Sequence, residues 1–250
     1  MPDLPATGGQ DRFFIPRLGE WVLGRSWYEG ALAGELPPPG ASAARRWLNP
    51  GLLDSVGAAR FRAAFQTSRE TAHVHISTAL IPKRAEGIRA AFDEAVFAAH
   101  PSPRHAVSVA RLDAGQPSPL SSFAAWLGSR EAASLHYWLA GWLLPQRLRI
   151  GVRVYRALAG GRIPLHVSTS SEGLAAVYCF TEGWQPGTGG TLTCYDLLSL
   201  RKTLEVLPHF NSMLLLGPRN LAHTVTEIPK ESPLCFCAVR ACYLAAASVG

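Results

Sequence analysis

The chain has 250 residues, enough for one large domain that buries about three-quarters of its unfolded surface. Hydrophobic residues make up 48% and charged residues 17% of the sequence, which excludes an intrinsically disordered chain. The net charge of +6 comes mostly from dispersed arginines without a recognition motif, and this pattern argues against a nucleic-acid partner.

The five cysteines form no Cys-x-x-Cys pair and lie in apolar, strand-like segments. This pattern predicts buried free thiols in a reducing compartment. The first residues, MPDLPATGGQDRFF, lack the basic start and apolar run of a signal peptide. No apolar run reaches the ~18 residues of a membrane span. We therefore expect a cytoplasmic protein with no membrane partner.

Residues 1–65 are predicted to form an irregular N-terminal extension or flap. The segment ELPPPGAS is incompatible with the interior of a helix or strand, and prolines recur through the region. The aromatic segment WVLGRSWYEG within it suits packing on the main body of the protein.

Helical patterns follow a strand-like alternation in HVHISTAL. In IPKRAEGIRAAFDEAVFAAH, apolar residues recur at helical spacing, and Pro82 suits the first turn of a helix. The predicted apolar stripe comprises Ile81, Ile88, Phe92, Val96 and Phe97. The segment SPLSSFAAWLGSREAASLHYWLAGWLLP then predicts one or two helices, with Ser122 or Ser129 as a cap.

Short strands separated by turns are predicted from Pro145 to the end of the chain. The strand segments are LRIGVRVYRAL, PLHVS, LAAVYCF, GTLTCYD, KTLEVLP, SMLLLG, AHTVTEI and PLCFCAVRACYLA. Helices followed by many strands predict an α+β fold, in which helices pack on one face of an antiparallel sandwich.

The strand region carries motifs in a fixed order: VRVYRALAGGRIPLH, VYCFTEGW, GTGGTLTCYD and LPHFNSMLLLGPRNLAHTVTEI. In order and spacing these segments resemble the prolyl-4-hydroxylase-like branch of the iron(II)/2-oxoglutarate oxygenases. The resemblance implies an oxygenase-like domain over residues 66–250 with a double-stranded β-helix, a jelly-roll or cupin-like sandwich. Its core would span residues 146–245, and its helical support residues 72–145.

The resemblance implies an iron(II) site at His166 and His223. A facial triad also needs a carboxylate, but Ser168 stands at the carboxylate position. Glu172, at the end of the following loop, is a candidate third ligand. Halogenases of the superfamily carry a small residue at this position, and some hydroxylases work with two histidines and a water. Ser168 is therefore compatible with an active site.

Two contacts that the family makes to 2-oxoglutarate are altered. Cys179 stands where a strand tyrosine often touches this cosubstrate, and the window of the usual basic clamp holds Ser232 and Pro233. Losing the clamp removes a charge-assisted hydrogen bond of about 1.5–3 kcal/mol. Binding of 2-oxoglutarate is therefore the cofactor assignment that the sequence leaves most open.

Other residues offer a replacement for the clamp. Arg153 precedes Tyr155 by two residues, so both side chains point to the same face of their strand. If Tyr155 faces the interior of the sandwich, Arg153 faces it too and becomes the leading candidate anchor. Lys230 and Arg240 are weaker candidates.

The leading hypothesis is an iron(II)/2-oxoglutarate-dependent oxygenase. It would hydroxylate or halogenate a C–H bond of a small metabolite, or of a carrier-bound or peptidyl amino acid. The alternative is a catalytically inactive protein that uses the oxygenase fold for binding or scaffolding. A third hypothesis keeps an enzyme that does not need 2-oxoglutarate. Retention of both histidines, Tyr155, Trp184 and the GTGG turn favours an altered coordination sphere over decay.

Overall fold

The computed structural model describes residues 12–15, 20–23, 41–67, 73–99, 106–110, 117–167, 173–196, 199–217 and 221–245. The helices of this part of the chain are α1 (Ala41–Ala44), α2 (Ser55–Thr67), α3 (Pro82–Glu94), α4 (Pro119–Leu127) and α5 (Arg130–Ala140), with a 3₁₀ turn at Pro50–Leu52. Its first strands are β1 (Arg12–Ile15), β2 (Glu20–Leu23), β3 (His73–Ile76), β4 (Phe97–Ala99) and β5 (Ser108–Ala110).

The remaining strands are β6 (Leu148–Ala157), β7 (Ile163–Val167), β8 (Gly173–Cys179), β9 (Leu192–Asp196), β10 (Lys202–Val206), β11 (Ser212–Leu216), β12 (Leu221–Val225) and β13 (Phe236–Ala245). Each of these strands overlaps one of the segments predicted from the sequence, with β7, β8 and β12 beginning one residue earlier, so the prediction of strands after Pro145 is confirmed. No helix of the described ranges is long and apolar enough to cross a membrane.

Two antiparallel sheets form the sandwich. The large sheet has the order β3-β11-β8-β13-β6-β5-β4 and the small sheet the order β10-β9-β12-β7, while β1 pairs with β2. From β6 to β13 the chain passes back and forth between the sheets, except that the consecutive strands β9 and β10 pair within the small one. The strands β6, β8, β11 and β13 belong to the large sheet and β7, β9, β10 and β12 to the small sheet. This is the predicted double-stranded β-helix, a jelly-roll.

The helices cover one face of the large sheet, as predicted. Alternate residues of β8 and β13, such as Tyr178, Val239 and Tyr243, are buried against this helical layer. The residues between them point to the opposite face, because side chains alternate along a strand. The main core therefore lies between helices and sheet, and the inner space between the two sheets is left for a site.

His136 of α5 joins the helical layer to the sheet. Its ring is buried, with Nδ1 2.6 Å from the Ala132 carbonyl oxygen and Nε2 2.8 Å from the Tyr178 hydroxyl. The ring also stacks on Tyr243, with centroids 5.3 Å apart. Burial lowers the pKa of His136 to about 4, so the imidazole is neutral in the folded protein at neutral pH.

The N-terminal prediction was wrong for residues 41–65, the part of the extension that the structure describes together with its side chains. This segment contains α1, the 3₁₀ turn and most of α2, and it buries Leu48, Phe61 and Phe65 in the main core. The spacing of four between the two phenylalanines places them on one helix face, a signal that the surrounding prolines obscured.

The predicted apolar stripe of α3 extends too far. The helix begins at Pro82 as expected but ends at Glu94, where Ala95 turns to extended backbone. Val96 is 70% exposed, and Phe97 belongs to β4, where its ring stacks on that of Phe92 at 6.1 Å. Pairing of β4 with β5 takes these residues out of the helix, because tertiary pairing overrides a local helical pattern.

Two helices occupy the next predicted helical segment, and the two proposed caps differ in outcome. Ser129 caps α5 by accepting a hydrogen bond from the Ala132 amide at 3.1 Å. Ser122 lies inside α4 instead, and Ser118 caps that helix through a reciprocal pair with Ser121. Pro119 occupies the first turn of α4, so this helix begins directly after Ser118.

Candidate functional site

A cavity of about 140 Å³ lies between the two sheets. Its walls come from β6, β8, β11 and β13 of the large sheet and from β7, β9 and β12 of the small sheet. Most of the lining side chains are apolar, and the charged ones among those described are arginines. The cavity is the space that the strand alternation leaves on the face opposite the helices.

The large-sheet wall is built in rows of directly paired residues. Tyr155 pairs with Ala238, which pairs in turn with Cys179, and all three are buried. Farther along the strands toward the mouth lies a second row, in which Arg153 pairs with Arg240. The prediction that Arg153 and Tyr155 share one strand face is therefore confirmed, and both line the cavity.

Arg153 and Arg240 give this wall a positive charge. No aspartate or glutamate lines the cavity among the residues that the structure describes, and within them neither guanidinium has a carboxylate at ion-pair distance. Like charges directly opposite each other on neighbouring strands are destabilising unless an anion balances them. Arg153 is exposed and Arg240 half-buried, so this charge lies on the solvent side of the cavity, where the apolar walls focus its field on an entering anion.

His223 stands on the small-sheet wall. It lies in β12 and lines the cavity, between β7 on one side and β9 on the other. Its direct backbone partner in β7 is His166, and its partner in β9 is Cys194. The two histidines that the sequence singled out, 57 positions apart, are thus neighbours in the sheet.

The donor set suits a divalent metal in part. Two histidines on adjacent strands match the imidazole pair of a facial site, but no group of three His, Cys, Asp or Glu side chains gathers in the described part of the chain. Burial raises the pKa of Cys194 to about 11, so its thiol is neutral rather than a thiolate donor. Ser168 and Glu172 lie outside the described residues.

Cys179 lines the cavity at the position where the sequence comparison placed a lost tyrosine. Burial raises the pKa of its thiol to about 12, so this side chain is neutral and mainly apolar. Cys179 is smaller than a tyrosine and therefore leaves more space in the row that it forms with Ala238 and Tyr155. Of the two altered cosubstrate contacts, this one changes the shape of the cavity rather than its charge.

Lys230, the remaining candidate anchor, does not line the cavity and is exposed in a turn before β13. The structure thus separates it from Arg153 and Arg240. Arg240 pairs with Arg153 across strands that are 87 positions apart in the sequence, a relationship that the pattern of one strand does not contain. Cys194 was missed altogether, although strand alternation in GTLTCYD could have placed it beside a histidine strand.

The GTGG turn supports this site structurally. Trp184 Nε1 donates a hydrogen bond to the Gly189 carbonyl oxygen at 2.9 Å. Gly189 has φ +72, and an added Cβ would lie 2.1 Å from the Glu227 carbonyl oxygen. Only glycine fits this close approach, so the turn has a structural role.

No protein-family model and no curated protein matches the sequence. Solved structures do match. A Pseudomonas putida prolyl-4-hydroxylase is 14% identical, with 74% of this chain and 99% of that chain covered and a TM-score of 0.55. The chain has the fold of the 2-oxoglutarate–iron(II) oxygenases. The same fold recurs in two further matches of known ligand content.

The first of these is a prolyl hydroxylase from Trichoplax adhaerens in complex with a hypoxia inducible factor oxygen degradation domain peptide fragment. It is 13% identical, with 75% of this chain and 88% of that chain covered and a TM-score of 0.56. The second is HygX from Streptomyces hygroscopicus with nickel, 2-oxoglutarate and hygromycin B bound. It is 14% identical, with 74% and 87% covered and a TM-score of 0.52.

Proposed function

We propose that this chain is a non-haem iron(II)/2-oxoglutarate-dependent oxygenase that hydroxylates or halogenates a C–H bond. The observation that carries the proposal is the backbone pairing of His166 with His223. Of the two, His223 lines a cavity whose opposite wall carries Tyr155, Arg153 and Arg240. The oxygenase fold supplies the context, since its solved members include enzymes named as oxygenases.

His166 and His223 would hold the metal. Directly paired residues of an antiparallel sheet carry their Cβ atoms on the same face, about 4.5–5.5 Å apart. Two nitrogen ligands at ~2.1 Å from one ion and at ~90° to each other are ~3 Å apart, so the two rings would converge on the ion from their Cβ atoms. When bound, ferrous iron with open coordination positions would activate oxygen and bind a bidentate cosubstrate.

Ser168 would leave one coordination position of the metal open, because a hydroxyl is a poor iron ligand beside a carboxylate. Such a site suits a halide or a water at that position, and it favours weaker metal binding than an intact triad. Glu172, six residues after His166, is the alternative third ligand. The two arrangements differ by one negative charge at the metal.

Arg153 and Arg240 would anchor the distal carboxylate of 2-oxoglutarate. A dianion balances the two facing guanidinium groups, and charge-assisted hydrogen bonds to a carboxylate are about twice as strong as neutral ones. Tyr155, buried one row deeper, would contact the same end of the cosubstrate. These residues together replace the family clamp that is missing at Ser232 and Pro233.

The substrate would be a small metabolite, or an amino acid presented by a carrier or peptide. Support comes from the range of ligands in the matching structures, where one holds a peptide fragment and another holds hygromycin B. The free cysteines of the described chain agree with action in a reducing compartment such as the cytoplasm.

Anaerobic titration tests the proposal. Fe²⁺ is added first and 2-oxoglutarate second, and the weak visible charge-transfer band of bidentate chelation is recorded. We expect the band in the wild-type protein and its loss in His166→Ala and His223→Ala. His209→Ala, at an exposed histidine outside the cavity, should keep it. If neither iron binding nor the band appears at millimolar metal, the protein is a non-catalytic member of the fold.

A further inference from the structure

A pair of thiols lies outside the cavity at the start of β13. The Sγ atoms of Cys235 and Cys237 are 3.5 Å apart, in hydrogen-bonding contact. Cys237 is fully buried, whereas Cys235 is only half-buried and thus reachable from solvent. The described cysteines otherwise show no such thiol pair.

Charged groups surround this pair. Arg89 and Arg156 both stabilise a thiolate on Cys235, and Asp93 opposes them. Arg156 is the direct strand partner of Cys237, and its guanidinium lies 4.1 Å from the Phe97 ring centroid. Arg89 is itself bridged to Asp93 at 2.9 Å and to Glu182 at 3.3 Å.

The two thiols divide their roles. The contact with Cys237 and the two arginines favours a thiolate on the more accessible Cys235 and lowers its pKa. The same hydrogen bond and burial raise the pKa of Cys237 well above its ordinary value. A solvent-accessible thiolate beside a buried, protonated partner is the arrangement of a peroxide-sensitive cysteine with a resolving cysteine.

We propose that Cys235 and Cys237 form a reversible oxidation site, whose substrate is a small hydroperoxide such as hydrogen peroxide. The Cys235 thiolate attacks the peroxide oxygen, the O–O bond breaks, and Cys235 becomes a sulfenic acid while hydroxide leaves and takes up a proton as water. Cys237 sulfur then attacks the Cys235 sulfur, and its proton leaves with the hydroxyl as a second water. Overall, two thiols and one peroxide give one disulfide and two waters.

The resulting disulfide would be strained and easily reduced. Residues two apart in extended chain have Cα atoms ~6.6 Å apart, from a rise of ~3.3 Å per residue. That separation lies near the upper limit of ~6.8 Å for a disulfide, so closure must pull the backbone together. Strained disulfides have more oxidising potentials, which is the behaviour of a switch rather than of a structural bridge.

Closure would also reach the cavity. Phe236, between the two cysteines, lines the cavity and packs in the cluster that contains Tyr155 and Trp184. Cys237 is held by two backbone bonds, from its amide to Thr181 Oγ1 at 3.2 Å and from the Phe180 amide to its carbonyl oxygen at 2.8 Å. Contraction of this segment would turn the Phe236 ring, so oxidation of the pair would alter the closed end of the cavity.

The proposal is independent of iron, and its test needs neither metal nor cosubstrate. The reduced protein is treated with hydrogen peroxide at pH 7, blocked with a maleimide and digested with trypsin. Cleavage after Lys230 and Arg240 releases ESPLCFCAVR, which contains both cysteines and no other. We expect this peptide to become lighter by two hydrogens, without added maleimide, and to regain both thiols after dithiothreitol.

Two variants separate the roles, with Cys242→Ser as the matched control, since Cys242 is a half-buried thiol elsewhere on β13. Cys237→Ser should accumulate a sulfenic acid on Cys235 that dimedone traps, and Cys235→Ser should leave Cys237 reduced. The pH midpoint of Cys235 alkylation in the wild-type protein should lie below that of an ordinary cysteine. Arg156→Gln should shift that midpoint upward, whereas Arg162→Gln, at an exposed arginine paired with Glu227, should not.

Either of two results overturns the proposal, and the wild-type protein alone can give both. One is a Cys235 that oxidises no faster than Cys242. The other is a Cys235 that proceeds to sulfinic acid while Cys237 still reacts with maleimide. Neither result bears on the proposed oxygenase function, because the iron titration reports on His166 and His223 and not on the two cysteines.

Discussion

Arg153 and Arg240 lie directly opposite each other on β6 and β13, and both face the cavity. Like charges in this register repel each other at a cost of roughly 0.2–1 kcal/mol. A cavity without a described carboxylate in its wall retains that repulsion until an anion enters. The pair therefore links a small loss of stability to a capacity for binding a dianion.

Replacing one member of the pair should separate these two effects. Arg240→Gln removes the repulsion, and we expect the thermal midpoint of the ligand-free protein to stay equal or rise slightly. The same variant should weaken 2-oxoglutarate binding by about 10- to 100-fold, the equivalent of 1.5–3 kcal/mol for a lost charge-assisted bond. Calorimetric unfolding and titration with 2-oxoglutarate in the presence of metal measure the two quantities.

Lys230→Gln is the matched control for this charge change, because Lys230 is exposed and outside the cavity. It should leave 2-oxoglutarate affinity within about twofold of wild type, since surface charges away from a site contribute little. Equal affinity of Arg240→Gln and wild type would reject the anchor role of that residue.

Metal binding should depend on both paired histidines. We expect His166→Ala and His223→Ala each to lower Fe²⁺ affinity by at least tenfold, because each removes one of two imidazole ligands of the proposed site. Anaerobic titration followed by thermal unfolding measures the effect, since a metal that binds only the folded state raises its stability. His209→Ala serves as the control. If a variant binds iron as tightly as the wild-type protein, the histidine that it lacks is not a metal ligand.

Much of the fold is readable from local pattern. The strands from β6 to β13 follow the predicted segments, although β11 and the first half of β13 are buried on both faces and do not alternate. The ends of the helices were harder to predict, because Val96 and Phe97 continue a helical spacing, whereas Phe97 pairs with β5 and Val96 is exposed. Only long-range pairing decides between the two structures, and a single sequence does not contain it.

The candidate site shows the same division. Spacing within one strand was enough to place Arg153 beside Tyr155, since alternation is a local property. The facing position of Arg240 depends on the register between β6 and β13, and the reactive environment of Cys235 depends on Arg89 and Arg156 from other elements. The charges around a side chain depend on tertiary structure. The sequence therefore predicted only buried free thiols, whereas the folded chain places two arginines near Cys235.

Restoring a carboxylate tests the altered coordination directly. Ser168→Asp supplies the negative charge that an intact triad has, and we expect it to tighten Fe²⁺ binding several-fold relative to wild type. Native activity need not increase, because the new ligand fills the position proposed to be open. Glu172→Gln is the companion variant: if Glu172 already serves as third ligand, its loss weakens iron binding, and Ser168→Asp then gives no gain.

His136 makes stability depend on pH in a direction that the structure fixes. Burial lowers its pKa to about 4, against an ordinary value of 6.5. Above pH 6.5 the imidazole is neutral in both the folded and the unfolded chain, and it contributes no pH dependence. Between pH 6.5 and 4 the unfolded chain takes up a proton that the folded protein excludes, so the free energy of unfolding decreases as pH falls.

This single group can remove on the order of 3 kcal/mol between those limits, at up to about 1.36 kcal/mol per pH unit. His136→Gln abolishes the titration, and it also weakens the contacts to Ala132 and Tyr178. We therefore expect the variant to be less stable than wild type at pH 7, but to lose less stability as the pH is lowered toward 4.5. Urea unfolding at several pH values measures both curves. If the two curves are parallel, the imidazole has the same pKa in the folded and the unfolded chain, and the predicted effect of its burial is wrong.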